Sequence, residues 1–172
     1  MKVYIDLDGI LADFTTGAIK VCELPMTYAD WDVWEGYSKH VHKAVFWGRI
    51  KATGPEFWAE LELTPEAHVI VGKALELDPQ AHILTSGGCP GAATGKTLWI
   101  EEHFPEFRNR TILSDQKQRF AAPDTLLVDD YEKNIVDFED AGGRVLMLKR
   151  PWNSGSPLGV VLAAMDLLKL ER

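Results

Sequence analysis

The stretch "VYIDLDGILADF", Val3 to Phe14, decides how this chain is read. Val3, Tyr4, Ile5 and Leu7 make the run of a buried strand, yet Asp6 and Asp8 stand at its end. Taking an ionised carboxylate out of water costs several kcal/mol unless an opposite charge or hydrogen bonds compensate. A strand that ends in two such groups therefore needs something to compensate their charge, and what that is bears directly on function.

Working outward, apolar runs recur with turn signals between them. Val3–Leu7 is followed by Ala81–Thr85 in "AHILTSGG", a short Thr111–Leu113, Thr125–Val128 in "DTLLVDD" and Arg144–Leu148 in "GGRVLMLK". Their hydrophobicity is nearly continuous rather than alternating, which predicts strands covered on both faces and hence a parallel sheet. Helical patterns separate them. Pro65–Leu77 has Thr64 as N-cap, Pro65 at the first position and Glu66 in the first turn. Thr97–Phe104 stops before Pro105, Glu132–Ala141 is closed by Gly142 and Gly143, and Leu158–Leu170 has a broad apolar face. Strands alternating with helices predict an α/β chain with a doubly wound, Rossmann-like parallel sheet.

One segment breaks the rhythm. Residues 25–61 carry Tyr28, Trp31, Trp34, Tyr37, Phe46, Trp47, Phe57 and Trp58 among acids and glycines. This reads as a small helical cap inserted after the first strand and helix, leaving 1–24 and 62–172 as the core domain. Most of its aromatics are expected to pack on one another, with one or two facing the cleft.

Composition narrows the partners. The chain has 172 residues, 46% of them hydrophobic, and a net charge of −8, which opposes a nucleic-acid-binding role. A small anion remains acceptable where a bound cation reverses the local field. No signal-peptide layout or membrane-length apolar run is visible, and Cys22 and Cys89 do not suggest a disulfide framework. The expected setting is cytoplasmic. The expected partner is a small-molecule phosphate ester, with no nucleic acid and no membrane, and a homodimer is compatible with the chain.

Ligand sites of open α/β sheets form beyond the carboxyl ends of the strands, near the point where strand order reverses. That edge collects Asp6 and Asp8, then Thr85 and Ser86, then Asp129 and Asp130, with Lys117 between the third and fourth strands. Several carboxylates stay ionised together only beside a cation, and Mg²⁺ takes a few carboxylates together with phosphate oxygens. Hydroxyls and a lysine suit the remaining phosphoryl oxygens. A carboxylate held in line can attack phosphorus, and a second can protonate the leaving oxygen.

The same residues carry a resemblance. "DLDGILADF", "ILTS", a downstream lysine and "LLVDD" resemble the four-motif pattern of the haloacid dehalogenase superfamily of phosphatases. More narrowly, "KTLWIEEHFPEF", "LSDQK" and "LLVDDYEKNI" are similar to the 5′(3′)-deoxyribonucleotidase group, so that the motifs run in order from Asp6 to Asn134. The resemblance implies that fold and a nucleoside monophosphate as substrate. Asp6 would be nucleophile and Mg²⁺ ligand, and Asp8 general acid/base with its backbone carbonyl on the metal. Thr85, Ser86 and Lys117 would hold the phosphoryl group. The Asp129–Asp130 pair would complete the metal site, Asp130 directly and Asp129 as its support. Phe14, with Phe57 and Trp58 of the insertion, would flank the nucleobase. Tyr131 is a departure, because the family carries Arg directly after the acid pair, and the "TSGGCPGAATGK" loop differs as well.

Other readings compete at single positions. Asp8 could merely cap the first helix, and Lys96 is an alternative phosphate-binding lysine. "GAATGKT" resembles a phosphate-binding Gly-rich loop but is one residue short. The five histidines show no zinc-like spacing with the cysteines. A non-catalytic Mg²⁺- and phosphate-binding module would leave the second aspartate of the opening stretch without a purpose.

Overall fold

The computed structural model describes residues 1–170. Its strands are β1 (Lys2–Ile5), β2 (His82–Thr85), β3 (Thr111–Leu113), β4 (Thr125–Asp129) and β5 (Arg144–Met147), all parallel in the order β3-β2-β1-β4-β5. Tyr4 lies between His82 of β2 and Leu127 of β4, which fixes the register at the centre of the sheet. The chain moves outward from β1 through β2 to β3, then returns to the other side of β1 for β4 and β5. Strand order thus reverses at β1, where the opening motif ends.

Both faces of the sheet are buried, as the continuous apolar runs imply. Val3, Ile5, Ile83, Leu126 and Val128 join the main core, while Tyr4, Leu84, Leu127 and Phe138 form a second cluster. The helices are α1 (Phe14–Val21), α2 (Lys43–Thr53), α3 (Glu56–Ala59), α4 (Ala67–Leu77), α5 (Ala92–His103), α6 (Glu132–Asp140) and α7 (Leu158–Leu170). Helices α4 and α7 pack together on one side of the sheet, and α6 packs over β4 and β5.

Two helix starts differ from the sequence reading. Helix α4 begins at Ala67 rather than Pro65 because the Thr64 hydroxyl does not cap it. That hydroxyl donates to the Ile10 carbonyl at 2.6 Å and anchors the opening loop instead. Helix α5 begins at Ala92, five positions before Thr97. Gly95 looks like a loop residue, but a Cβ there would strike the Pro55 carbonyl and come within 2.8 Å of Trp58 Cβ. Close approach of α3 to α5 demands glycine and outweighs its poor helix propensity. "GAATGKT" is therefore the first turns of a helix, not a phosphate loop.

Residues 25–61 are helical as expected, with 3-10 turns at Tyr28–Asp30 and Gly36–Lys39 before α2 and α3. Most of their aromatics are core. Trp31, Tyr37, Phe46, Phe57 and Trp58 are buried and continuous with the main cluster, and Tyr37 stacks on Phe46 at 3.9 Å. The insertion leaves and rejoins the sheet at one place. Asp13 N donates to Glu62 O and Thr64 N to Leu11 O, both at 2.8 Å.

Candidate active site

The opening loop turns sharply after β1. Leu11 and Ala12 amides donate to the Leu7 carbonyl, and Gly9 N donates to Ala12 O, so Asp6, Asp8 and Gly9 are held at the strand's carboxyl end. Helix α1 is capped by Asp13, whose carboxylate accepts from Thr16 N at 3.0 Å. Asp8 is therefore not a capping residue.

Two buried lysines divide the carboxylates between them. Lys117, in a 3-10 turn after β3, places Nζ 2.7 Å from both Asp6 Oδ1 and Asp129 Oδ2. Burial opposes its ammonium, but Asp129 and Asp6 outweigh that and hold it above the ordinary lysine range. Lys96, on α5, pairs with Asp8 Oδ2 at 2.7 Å and also donates to Thr85 Oγ1 and the Ser86 carbonyl. It is 1% exposed, so its ammonium is compensated by these three groups. Burial raises the Asp8 carboxyl, partly offset by Lys96, and Asp8 Oδ1 is buried with no hydrogen-bond partner. A carboxyl so placed holds its proton more tightly than a solvated one, the direction a proton donor needs.

The acid pair after β4 splits into two roles. Asp129 is fully satisfied, by Lys117, the Tyr131 amide at 2.8 Å and Asn134 Nδ2 at 3.0 Å. Asp130 accepts Trp152 Nε1 at Oδ2, 2.9 Å away, and its Oδ1 is buried without a partner. Burial, then Asp129 and Asp6, push the Asp130 carboxyl well above the ordinary range. An oxygen from each of Asp6, Asp129 and Asp130 lies within 4.8 Å of the others. The donor set fits Mg²⁺: hard oxygen ligands, an orphaned buried oxygen and a charge imbalance that a divalent cation corrects. Gly9 shapes the same spot. Its φ is +81°, and a Cβ there would lie 2.6 Å from Asp130 Oδ2. Arg150 fixes this loop by donating to Gly9 O at 2.7 Å while paired with Glu66.

Above these groups opens a cavity of about 690 Å³. Of the residues the sequence singled out, Asp6, Asp8, Phe14, Ser86, Lys117, Asp130 and Tyr131 line it. Thr85 and Asp129 lie directly behind, bonded to the two lysines. Phe57 and Trp58 do not line it. Helix α3 turns both into the core, Trp58 against α5 and Phe57 edge-on to Phe14 at 5.6 Å. Its aromatic wall is made instead by Trp34, Trp47 and Trp152 with the buried Trp31, Tyr37 and Phe46, and Trp34 stacks on Tyr131 at 3.8 Å and 16°.

The sequence matches, over residues 1–156, the family described as 5′ nucleotidase, deoxy (pyrimidine), cytosolic type C protein. The chain belongs to this family. Membership puts it among the haloacid dehalogenase superfamily phosphatases, and solved structures agree on the fold. A hydrolase from Streptococcus pneumoniae superposes with a TM-score of 0.63 at 8% identity, covering 96% of this chain and 97% of that one. A haloacid dehalogenase-like family hydrolase from the same species gives 0.58 at 15% identity, covering 96% and 90%. A family enzyme from Bacteroides thetaiotaomicron, in complex with magnesium and inorganic phosphate, gives 0.50 at 12% identity, covering 89% and 96%. No curated protein matches the sequence. Among the described residues no helix is long and apolar enough to cross a membrane.

Sequence reasoning missed several contributors. Lys96 reads from sequence only as an alternative phosphate-binding lysine, and its pairing with Asp8 is not foreseen there. Asn134 stood inside a quoted motif without a role. Trp34 was one of the insertion's aromatics with nothing to single it out, and Arg150 and Trp152 left no local trace, because only the chain's path after β5 brings them to Gly9 and Asp130.

Proposed function

We propose that the chain is a Mg²⁺-dependent phosphomonoesterase acting on nucleoside monophosphates, deoxyribonucleotides foremost, through an aspartyl-phosphate on Asp6. One observation carries this reading: two carboxylates two residues apart are each paired at 2.7 Å with a different buried lysine, beneath an aromatic cavity. Asp6 attacks phosphorus, and the ester oxygen departs with the proton of Asp8. Asp8 then accepts a proton from water, which displaces Asp6 and releases phosphate. Lys117, Lys96, Thr85 and Ser86 bind the phosphoryl oxygens and hold both aspartates in line. Asp6, Asp130 and the Asp8 carbonyl would hold Mg²⁺, with Asp129 as support; when bound, the ion neutralises charge on the phosphoryl oxygens. The magnesium and phosphate in the Bacteroides enzyme are consistent with that assignment. Phe14 and Tyr131 flank the substrate, with residues 25–61 as the cap above it.

The test is phosphate release from deoxy- and ribonucleoside monophosphates, with and without Mg²⁺, wild type beside Asp6→Asn. Metal-dependent release that Asp6→Asn abolishes supports the reading, and wild-type turnover by Asp6→Asn refutes the mechanism. A second reading, a phosphatase for another small phosphorylated metabolite, rests on Tyr131 standing where the family carries Arg. Release from a generic aryl phosphate with none from any nucleotide would favour it.

A further inference from the structure

Trp152 lies in the turn after β5, outside every motif of the chain. Its indole N–H donates to Asp130 Oδ2 at 2.9 Å, while Oδ1 of the same carboxylate is buried and without a partner. The turn that delivers the indole is itself tied to Asp130. Asn153 Nδ2 donates to the Asp130 carbonyl at 2.7 Å and to the Leu148 carbonyl at 2.9 Å. Asn153 Oδ1 accepts the Arg150 and Gly155 amides, closing the turn on itself. The other side of the indole meets the insertion, packing edge-on against Tyr28 at 5.7 Å and against Trp34 at 6.5 Å.

We infer that Trp152 is a positioning residue for the metal: by holding Asp130 Oδ2 it presents Oδ1 to the cation, and its ring joins that carboxylate to the aromatic wall of the insertion. A carboxylate has two equivalent oxygens and turns freely about its terminal bond unless one is held. The indole N–H is a donor only, so it selects one oxygen and cannot compete with the cation for it. Outer partners of a metal ligand typically carry a ten- to hundredfold share of metal affinity. The inference rests on Asp130 being the metal carboxylate.

The experiment is isothermal titration of Mg²⁺ into the full chain, without any phosphate ester, for wild type, Trp152→Phe and Asp130→Asn. Trp152→Phe keeps the ring and removes the N–H. The expected result is binding in wild type, about tenfold weaker binding in Trp152→Phe and none in Asp130→Asn. Equal or tighter binding by Trp152→Phe, with Asp130→Asn impaired, overturns this inference alone. No binding by wild type, or full binding by Asp130→Asn, overturns the metal reading beneath it. A second measurement needs no variant: the indole N–H resonances of the six tryptophans followed through the same titration. The Trp152 signal should move with saturation, whereas that of Trp99, bonded to the Leu61 carbonyl at 2.7 Å, should stay. A Trp152 signal unmoved at saturating Mg²⁺ overturns the inference.

Discussion

Lys117 Nζ lies midway between Asp6 and Asp129, 2.7 Å from a carboxylate oxygen of each. One ammonium thus bridges the ends of two neighbouring parallel strands, β1 and β4. Removing one partner of a buried ion pair leaves uncompensated charge, at a cost of about 3–5 kcal/mol. Lys117→Met should lose stability on that scale without metal, and Mg²⁺ should recover more stability in the variant than in wild type. Urea denaturation in chelator and in Mg²⁺ reads both; equal stability of variant and wild type in chelator would contradict the bridge.

Lys96 joins Asp8 to Thr85 from within α5. If Asp8 is the proton-transferring group, Lys96→Gln should lower kcat on the scale of lost acid–base catalysis, about 10²-fold or more. With Lys117 left to bind the phosphoryl group in the proposed mechanism, KM should move much less. Steady-state kinetics decides, and a change confined to KM would make Lys96 a binding lysine alone.

Gly9 has a left-handed φ of +81° and sits against the Asp130 carboxylate. Gly9→Ala meets both the backbone strain, about 1–3 kcal/mol, and a clash with the Asp130 carboxylate. The expected outcome is a lower Tm together with weakened Mg²⁺ binding. A variant that loses stability but binds Mg²⁺ as wild type would separate the glycine from the site.

Tyr131 stacks on Trp34 across the mouth of the cavity. Such a pair contributes about 0.5–1.5 kcal/mol beyond its buried area. Tyr131→Ala should raise KM for a nucleoside monophosphate by a few-fold to about tenfold and leave kcat nearly unchanged. An equal fall in kcat and kcat/KM would move Tyr131 from substrate binding to the chemical step.

Tyr28 packs edge-on to Trp152, and burial pushes its hydroxyl up to about 12, with Arg150 opposing and Asp13, Asp130 and Glu66 adding to the rise. The folded chain therefore holds this proton more tightly than the unfolded chain does. Its contribution to stability is complete below the ordinary value of 10.0 and is lost as pH rises toward about 12. Tyr28→Phe should flatten the alkaline limb of the stability profile in that interval. Denaturant titrations across it provide the check, and an unchanged slope would contradict the shift.

The alternation of apolar runs and helical patterns was enough to read a doubly wound sheet, because strands buried on both faces cannot hide their composition. Asp6, Asp8, Lys117 and the acid pair were legible for a related reason. Buried charges at the carboxyl ends of strands are costly enough to stand out, and topology brings those ends together. Within the acid pair the bonding divides, for one carboxylate is saturated while the other keeps an oxygen without a partner, and the assignment of Asp130 to a metal is part of the proposal.

What the sequence could not order was direction. Phe57 and Trp58 belong to the aromatic-rich insertion, but which face of a one-turn helix meets the core depends on α5, and α5 is set by a glycine that looks like loop. Trp152 reaches Asp130 across 22 positions of sequence. The sequence by itself determined the parallel sheet and the acids and lysine gathered at its carboxyl edge, since those follow from continuous apolar runs and from the cost of burying charge, while the strand order that reverses at β1 came from the structure. Only the tertiary structure decided which aromatics face the cavity, that Lys96 holds Asp8, and which carboxylate oxygen is left free. Those depend on packing between distant segments, which leaves no period in the chain.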